Sequence, residues 1–146
     1  MNSPVRVFPC KEQKCLLAES AYRVYAPCMY QPTPGKYKEK MEGYIADPSV
    51  TIFVCEYHDE CAGLLVIKYK EILGIAVRED CRRLGFGKLM INEAMRSKNL
   101  NSVRAQTDDD AVGFYRRCGF YVERREIEYP DGVVVRYDCV LEADCH

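Results

Sequence analysis

The sequence lacks an excess of charge of either sign, and it lacks a long hydrophobic run. It has 21 Lys and Arg residues against 22 Asp and Glu residues, a formal net charge of -1, whereas a general nucleic-acid-binding protein usually carries a basic excess. Its longest apolar run, residues 62–67, is far shorter than the ~20 residues of a membrane-spanning helix. The N-terminal residues show no apolar stretch typical of a signal peptide. We therefore expect a cytoplasmic protein that binds neither nucleic acid nor membrane.

Histidine is scarce, and the cysteines are not paired. The chain has two histidines, His58 and His146, and nine cysteines, no two of which stand three positions apart, as a C-x2-C zinc site requires. The odd number of cysteines and the missing signal peptide argue against a disulfide scaffold, and a Cys–His nucleophile pair has little support. We expect no metal site, and we expect reduced cysteines that act as small hydrophobic residues.

The length of 146 residues is typical of one domain, and strand and helix patterns alternate along it without a linker or repeat. Residue alternation and turn signals predict strands at 5–8, 50–57, 61–68, 71–77, 102–106, 120–129 and 133–141. Periodicity and capping predict helices at 11–26, 36–46 and 84–98, with a short fourth helix between residue 107 and Gly119. The pattern indicates a single α+β domain over residues 1–146.

The segment most indicative of chemistry joins the strand at 71–77 to the helix at 84–98. It reads Arg82-Arg83-Leu84-Gly85-Phe86-Gly87-Lys88. The first N–H groups of a helix are unpaired and face an anion favourably, and glycines let the backbone approach a ligand closely. The spacing fits neither G-x-x-x-x-G-K-[ST] nor G-x-G-x-x-G. It predicts a pyrophosphate cradle, with an ordinary strand–helix turn whose glycines only permit packing as the alternative.

Gly74, inside the predicted strand, indicates a bulge or a close approach to the backbone. By strand alternation, Glu71 shares a face with Ile75 and Val77 unless a bulge at Gly74 resets the register.

A second motif, Phe114-Tyr115-Arg116-Arg117-Cys118-Gly119-Phe120, follows the cradle. Together with the strand Ile75-Ala76-Val77 and the R-x-x-G-x-G loop of residues 82–87, it resembles the GNAT superfamily of acyl-CoA-dependent N-acetyltransferases. The matched region covers residues 71–120. The resemblance implies a mixed, mostly antiparallel twisted sheet of about seven strands flanked by four helices. It also implies that the strands near Gly74 and Ser102 splay to form an acyl-CoA slot.

The resemblance further implies acetyl-CoA as the acyl donor, without a metal. The strand at 75–77 would pair with the pantetheine arm, as an added strand does, and the loop would hold the pyrophosphate. Asp108 stands where many family members have Asn. The implied cofactor-binding residues are Ile75, Ala76, Val77, Arg82, Arg83, Leu84, Gly85, Phe86, Gly87, Lys88, Asp108 and Phe114.

Family members transfer the acetyl group directly to an amine, here a primary amine of a small molecule or a protein. The resemblance makes Tyr115 the proton donor to the departing thiolate, a role that a phenol with a pKa near 10 can fill; packing in the core is the alternative. Glu71 is the candidate base, with a water chain, or a mere surface pairing of Glu71 with Lys68 or Lys70, as alternatives.

The acceptor site is expected near residues 30–44 and 126–138, where tyrosine rings could face a cationic amine or simply pack. The tyrosines in question are Tyr22, Tyr25, Tyr30, Tyr37 and Tyr44. A non-catalytic acyl-CoA-binding regulatory module is the alternative function, and assembly into a homodimer is left open.

Overall fold

The computed structural model describes residues 5–143, in which one sheet of seven strands carries helices on both faces. Cys145 and His146 lie outside the described residues. The strands are β1 (Val5–Pro9), β2 (Val50–Tyr57), β3 (Glu60–Lys68), β4 (Glu71–Val77), β5 (Ser102–Thr107), β6 (Tyr121–Tyr129) and β7 (Gly132–Glu142). The α-helices are α1 (Gln13–Leu16), α2 (Glu19–Tyr25), α3 (Pro34–Ala46), α4 (Phe86–Ser97) and α5 (Val112–Arg117). Short 3-10 turns, Ala26–Cys28 and Glu79–Cys81, follow α2 and β4.

The sheet is antiparallel except at one junction. The strand order is β1-β2-β3-β4-β5-β7-β6, and only β4 and β5 run parallel. These two strands meet at a single register position, Glu71 opposite Arg104, where Arg104 N donates to Lys70 O at 2.8 Å. Beyond that point β4 and β5 separate. The predicted mostly antiparallel sheet with a splayed strand pair is confirmed.

Two apolar clusters lie on opposite faces of the sheet. On one face, α4 and α5 pack through residues such as Met90, Ile91 and Tyr115. On the other face, α1, α2 and α3 pack through Leu16, Tyr25, Met41 and their neighbours. Strands buried on both faces read as continuous apolar runs because neither face meets water, which accounts for the run at residues 62–67 in β3.

The helices differ from the prediction in number and, by one or two residues, in several boundaries. Residues 11–26 form two helices instead of one, because Ala18 is extended (ψ 151°). This break lets Leu16 of α1 and the buried side chains of α2 reach the same cluster. The helix predicted from residue 84 begins at Phe86, because Arg83 (φ 76°) and Gly85 (φ 81°) are left-handed, a conformation that a right-handed helix cannot include.

In the described part of the chain, the cysteines form no disulfide and the candidate metal ligands form no cluster. No disulfide links the eight cysteines within residues 5–143, and four of them are buried. Within the same range, no three His, Cys, Asp or Glu side chains come together as metal ligands. None of the helices described there has the length and apolar character needed to cross a membrane.

Candidate active site

A β-bulge in β4 decides which side chains face the site. Gly74 lies opposite Val66, but Ile72 lies opposite Ile67, so Leu73 is an extra residue in β4. A bulge of this kind resets the alternation of the strand. Ile72 and Ile75 therefore contribute to the same core cluster, and Glu71 turns to the other face of the sheet.

Gly74 is also a point of close approach to the backbone, as its position in the strand predicts. A Cβ built on Gly74 would lie 1.8 Å from the Tyr25 hydroxyl oxygen. Tyr25 is fully enclosed, with 1% of its surface exposed. Burial, with smaller contributions from Tyr44 and Cys28, raises the pKa of Tyr25 well above that of a free phenol. The missing side chain of Gly74 thus makes room for a tyrosine that is neutral at physiological pH.

A cavity of about 770 Å³ lies between the end of β4, the start of α4 and α5. It lies at the end of β4 that is not paired with β5. Ten of the sequence-predicted cofactor-binding residues line it: Ile75, Ala76, Val77, Arg82, Arg83, Gly85, Phe86, Gly87, Lys88 and Phe114. We call this cavity the donor slot.

The start of α4 presents unpaired donors to the donor slot. Gly85 precedes the helix with φ 81°, and no atom lies within 4 Å of a Cβ built on it. The first helical bond of the ladder runs from Leu89 N to Gly85 O at 3.0 Å. Among the described residues, no backbone carbonyl accepts from the N–H groups of Phe86, Gly87 or Lys88. These groups and the positive end of the helix form an anion-binding arrangement.

The two glycines of the loop have different roles. Gly85 supplies the left-handed conformation, which glycine adopts without steric cost. Gly87 supplies packing space, because a Cβ there would lie 2.6 Å from Cε1 and Cζ of Phe114. The packing interpretation of the sequence therefore applies to Gly87, and the pyrophosphate cradle stays a prediction.

Four basic side chains surround the donor slot: Arg82, Arg83, Lys88 and Arg117. Arg82 is anchored, since its Nε donates to Val77 O at 3.2 Å. Arg117 was not predicted, although it follows Phe114 by three residues and so lies on the same helical face. Among the residues that the structure describes, Asp110 contributes the one carboxylate of the lining.

The remaining residues that the prediction missed come to the donor slot from several segments. They are Pro27, Cys28, Cys81, Ala111 and Cys118. Pro27 and Cys28 belong to the turn after α2, which is nearly fifty residues from β4 in the sequence. Cys28 Sγ donates to Ile75 O at 2.9 Å. No local sequence signal marks such a contact.

Four predicted site residues do not line the donor slot: Leu84, Asp108, Glu71 and Tyr115. Leu84 points to solvent, with 53% of its surface exposed. Asp108 lies in the turn before α5, where its Oδ1 accepts from the N–H groups of Asp110 at 3.0 Å and Ala111 at 3.2 Å. Glu71 is exposed and lies at the closed end of the splayed pair, opposite Arg104.

Tyr115 lies behind the wall of the donor slot that its neighbours Phe114 and Cys118 form. Its ring packs edge-on against Phe114 and Phe120, and 6% of the residue is exposed. Burial, with smaller contributions from the thiols of Cys139 and Cys28, raises the pKa of Tyr115 well above its ordinary value. Within residues 5–143 its hydroxyl has no hydrogen-bond partner, yet the oxygen is not fully enclosed. Tyr115 therefore keeps its proton, and its hydroxyl has no partner among the described residues.

A second cavity of about 610 Å³ adjoins the donor slot. It is lined by Cys28, Met29, Tyr30, Lys36, Glu39, Lys40, Gly43 and Tyr44. Cys28 belongs to both cavities. We call this second cavity the α3 cavity. Six of its eight lining residues fall within the predicted region 30–44, whereas the hairpin at 126–138 contributes none.

The tyrosines predicted near the acceptor divide between the α3 cavity and the core. Tyr30 and Tyr44 line the cavity. Tyr37 is buried, and its hydroxyl donates to Leu16 O at 2.6 Å. Tyr25 lies under Gly74, and Tyr22 packs on the ring of Tyr37. For Tyr22, Tyr25 and Tyr37 the packing alternative holds.

Known structures share this architecture. A Bacillus anthracis protein with the provisional name of streptothricin acetyltransferase, solved with acetyl coenzyme A, is 25% identical, with a TM-score of 0.58 over 70% of this chain and 68% of that chain. The ribosomal-protein-S18-alanine N-acetyltransferase of Escherichia coli is 14% identical, with a TM-score of 0.66 over 97% of this chain and 96% of that chain.

A mutant spermidine N-acetyltransferase of Vibrio cholerae is 18% identical, with a TM-score of 0.65 over 97% of this chain and 95% of that chain. No curated protein matches the sequence. The family model described as "Acetyltransferase (GNAT) family" matches residues 18–120, the range that holds α2, α3, the splayed strands, the cradle and α5. The chain therefore belongs to the GNAT acetyltransferase family, whose acyl donor is acetyl-CoA.

Proposed function

We propose that this chain is a single-domain cytoplasmic N-acetyltransferase that transfers the acetyl group of acetyl-CoA directly to a primary amine. The observation that carries the proposal is the donor slot, in which splayed strands open onto unpaired N–H groups at the start of α4. Membership of the family supports acetyl transfer in general. The adjoining α3 cavity supports a separate acceptor that meets the donor near Cys28.

The donor slot fits acetyl-CoA in its positive charge and in the unpaired backbone groups that it offers. The N–H groups of Phe86, Gly87 and Lys88, with the side chains of Arg83, Lys88 and Arg117, would hold the pyrophosphate. Beyond Glu71, β4 has no strand partner on the β5 side, so this edge can receive an extended chain as an added strand. When bound, acetyl-CoA supplies an acetyl group activated as a thioester.

The proton-transfer residues are assigned by their surroundings. Tyr115 is the proposed donor to the thiolate, since its hydroxyl is protonated and lacks a partner within the described residues. The role of Glu71 as the base stays a prediction. Its place at the closed end of the strand pair favours the alternative in which water carries the amine proton away.

The first test is donor binding. Acetyl-CoA at 100 times its dissociation constant should stabilise the fold by ~2.7 kcal/mol, a rise in Tm of roughly 5–10 °C. A Lys88→Gln variant should weaken CoA but not pantetheine, which lacks the pyrophosphate. Arg96→Gln, on the same helix but far from the slot, is the matched control. The absence of any shift with folded protein would refute both enzyme and regulatory module.

The second test is the Tyr115→Phe variant, which keeps the ring contacts with Phe114 and Phe120. Because a positioned general acid contributes ~10²–10⁴-fold, kcat should fall by at least about a hundredfold, with acetyl-CoA affinity unchanged. Tyr121→Phe, at an exposed tyrosine, should have wild-type activity. If Tyr115→Phe keeps more than about a third of the wild-type kcat, the loss is far below the contribution of a general acid, and Tyr115 is a packing residue. Acetyl-CoA binding without thiol release for any amine would favour the regulatory module.

A further inference from the structure

We propose that the α3 cavity selects an acceptor amine that carries an anionic group in the same small molecule, and that it rejects polyamines. The proposal rests on the proposed function for the identity of the cavity as the acceptor site. The charged side chains of the lining support it: Lys36 and Lys40 supply two positive charges, and Glu39 supplies one negative charge.

The two lysines are positioned as an anion clamp. Lys36 and Lys40 are four residues apart on α3 and therefore lie on one face of the helix. Lys36 Nζ donates to Gln31 O at 3.1 Å, which uses one of its three N–H donors. Lys40 Nζ lies 5.5 Å from the centre of the Tyr44 ring. Both ammonium groups thus keep donors for a carboxylate or a phosphate.

Neither lysine is neutralised by the protein. Among the described residues, Glu39 forms no ion pair or hydrogen bond, although it is adjacent to Lys40 in sequence. Elsewhere on the surface, Glu93 and Arg96, which have the same three-residue spacing as Lys36 and Glu39, do form an ion pair. Like charges one turn apart weaken a helix, and the one local contact of each lysine, to Gln31 O and to the Tyr44 ring, leaves N–H donors for a ligand.

The same three charges distinguish the classes of amine. A zwitterion can place its ammonium group near Glu39 and its anionic group near the lysines. A polyamine brings several positive charges to a cavity that already holds two and has one carboxylate to offset them. Met29, Tyr30 and Tyr44 add apolar and aromatic surface, which suits a hydrophobic part of the acceptor.

The test compares matched ligands that differ in the anionic group. The pairs are phenylalanine with 2-phenylethylamine, lysine with cadaverine, and phosphoethanolamine with ethanolamine, with spermidine as the polyamine. Binding to the CoA-loaded and the free protein is measured by calorimetry, and acetyl transfer by thiol release. Because two exposed charge contacts are involved, the anionic member of at least one pair should bind at least about fivefold more tightly. The third pair separates phosphate from carboxylate recognition.

Charge-removing variants show where the selectivity arises. Lys36→Gln with Lys40→Gln should abolish the preference for the member with the anionic group, and it should not weaken binding of the amine that lacks that group, because the removed positive charges repel an ammonium ion. Lys38→Gln, on the same helix but outside the cavity lining, should retain the preference. The preference should also shrink at high ionic strength, since these side chains are exposed.

The outcomes separate the selectivity from the catalytic function. The proposed selectivity would be overturned if spermidine, or the amines without an anionic group, bound as tightly as the members with one. It would also be overturned if no member of any pair bound. An equal effect of Lys38→Gln would overturn it too. Efficient acetylation of spermidine would refute the selectivity and support the acetyltransferase. Selective binding of anionic amines without acetyl transfer would support the selectivity and refute the transferase.

Discussion

Replacing Gly74 by alanine should destabilise the protein through a single contact. The new Cβ would lie 1.8 Å from the Tyr25 hydroxyl oxygen and 2.8 Å from Cζ, whereas nonbonded carbon atoms prefer ~3.5–4.0 Å. Tyr25 is 1% exposed and packs beside Tyr37, so its ring has no free space to move into. Overpacking of this kind costs ~1–3 kcal/mol, and the severity of this contact places the expected loss near the upper end.

Urea unfolding followed by circular dichroism measures the loss directly. A decrease of about 3 kcal/mol in the free energy of unfolding corresponds to a fall of roughly 5–12 °C in Tm for a chain of this size. Gly43→Ala is the matched control, because a Cβ there meets nothing within 4 Å and the residue lies inside α3. Alanine is ~0.5–1 kcal/mol better than glycine inside a helix, so this control should be stabilised.

A double-mutant cycle tests whether the Tyr25 hydroxyl is the cause. Tyr25→Phe removes the atom at 1.8 Å but leaves Cζ at 2.8 Å, so it should recover about half of the loss caused by Gly74→Ala. The expected coupling energy is ~1 kcal/mol or more, within the range for residues in contact. If Gly74→Ala is within ~0.5 kcal/mol of the wild type, or if Tyr25→Phe recovers nothing, the argument from close approach is refuted.

Two further predictions concern the loop before α4 and the buried thiols. Gly85→Ala should lower the free energy of unfolding by ~1–2 kcal/mol, because alanine is strained in the left-handed conformation of residue 85. Gly85→Asn should lower it less, because Asn tolerates that conformation. Equal stability of the wild type and both variants in urea unfolding would contradict this prediction. Burial raises the pKa of Cys55 to about 11, so the folded thiol keeps its proton while the unfolded thiol, with a pKa of ~8.5, ionises. This stability is complete below pH ~8.5 and is lost as the pH rises toward 11, by up to ~1.4 kcal/mol per pH unit; under reducing conditions Cys55→Ala should have a flatter profile, and identical profiles would refute the assignment.

Local chemistry explains the parts of the fold that could be predicted. The bounds predicted for β2 and β4 agree with the structure, because their apolar residues end at short turns where His58, Asp59 and Tyr69 have positive φ. The unpaired N–H groups at the start of α4 could be predicted as well, since an amphipathic helix with glycines at its start determines where such groups lie.

Contacts between distant segments explain what could not be predicted. The break at Ala18 depends on where α1 and α2 pack, and the bulge at Leu73 depends on the register with β3. That bulge moves Glu71 away from the face that simple alternation assigns to it. Likewise, Cys28 enters the donor slot through a bond to Ile75, 47 positions along the chain.

By itself, the sequence determined the order of the strands, the glycine-containing start of α4 and the resemblance of its motifs to an acetyltransferase. These depend on residue spacings within a few turns or a single strand, where alternation and periodicity act. The tertiary structure alone decided that Gly87 accommodates Phe114, that Arg117 joins the donor slot, and that Lys36 and Lys40 face a cavity beside it. Those facts depend on which surfaces meet across the sheet, and that choice is made by packing of the whole core rather than by any local pattern.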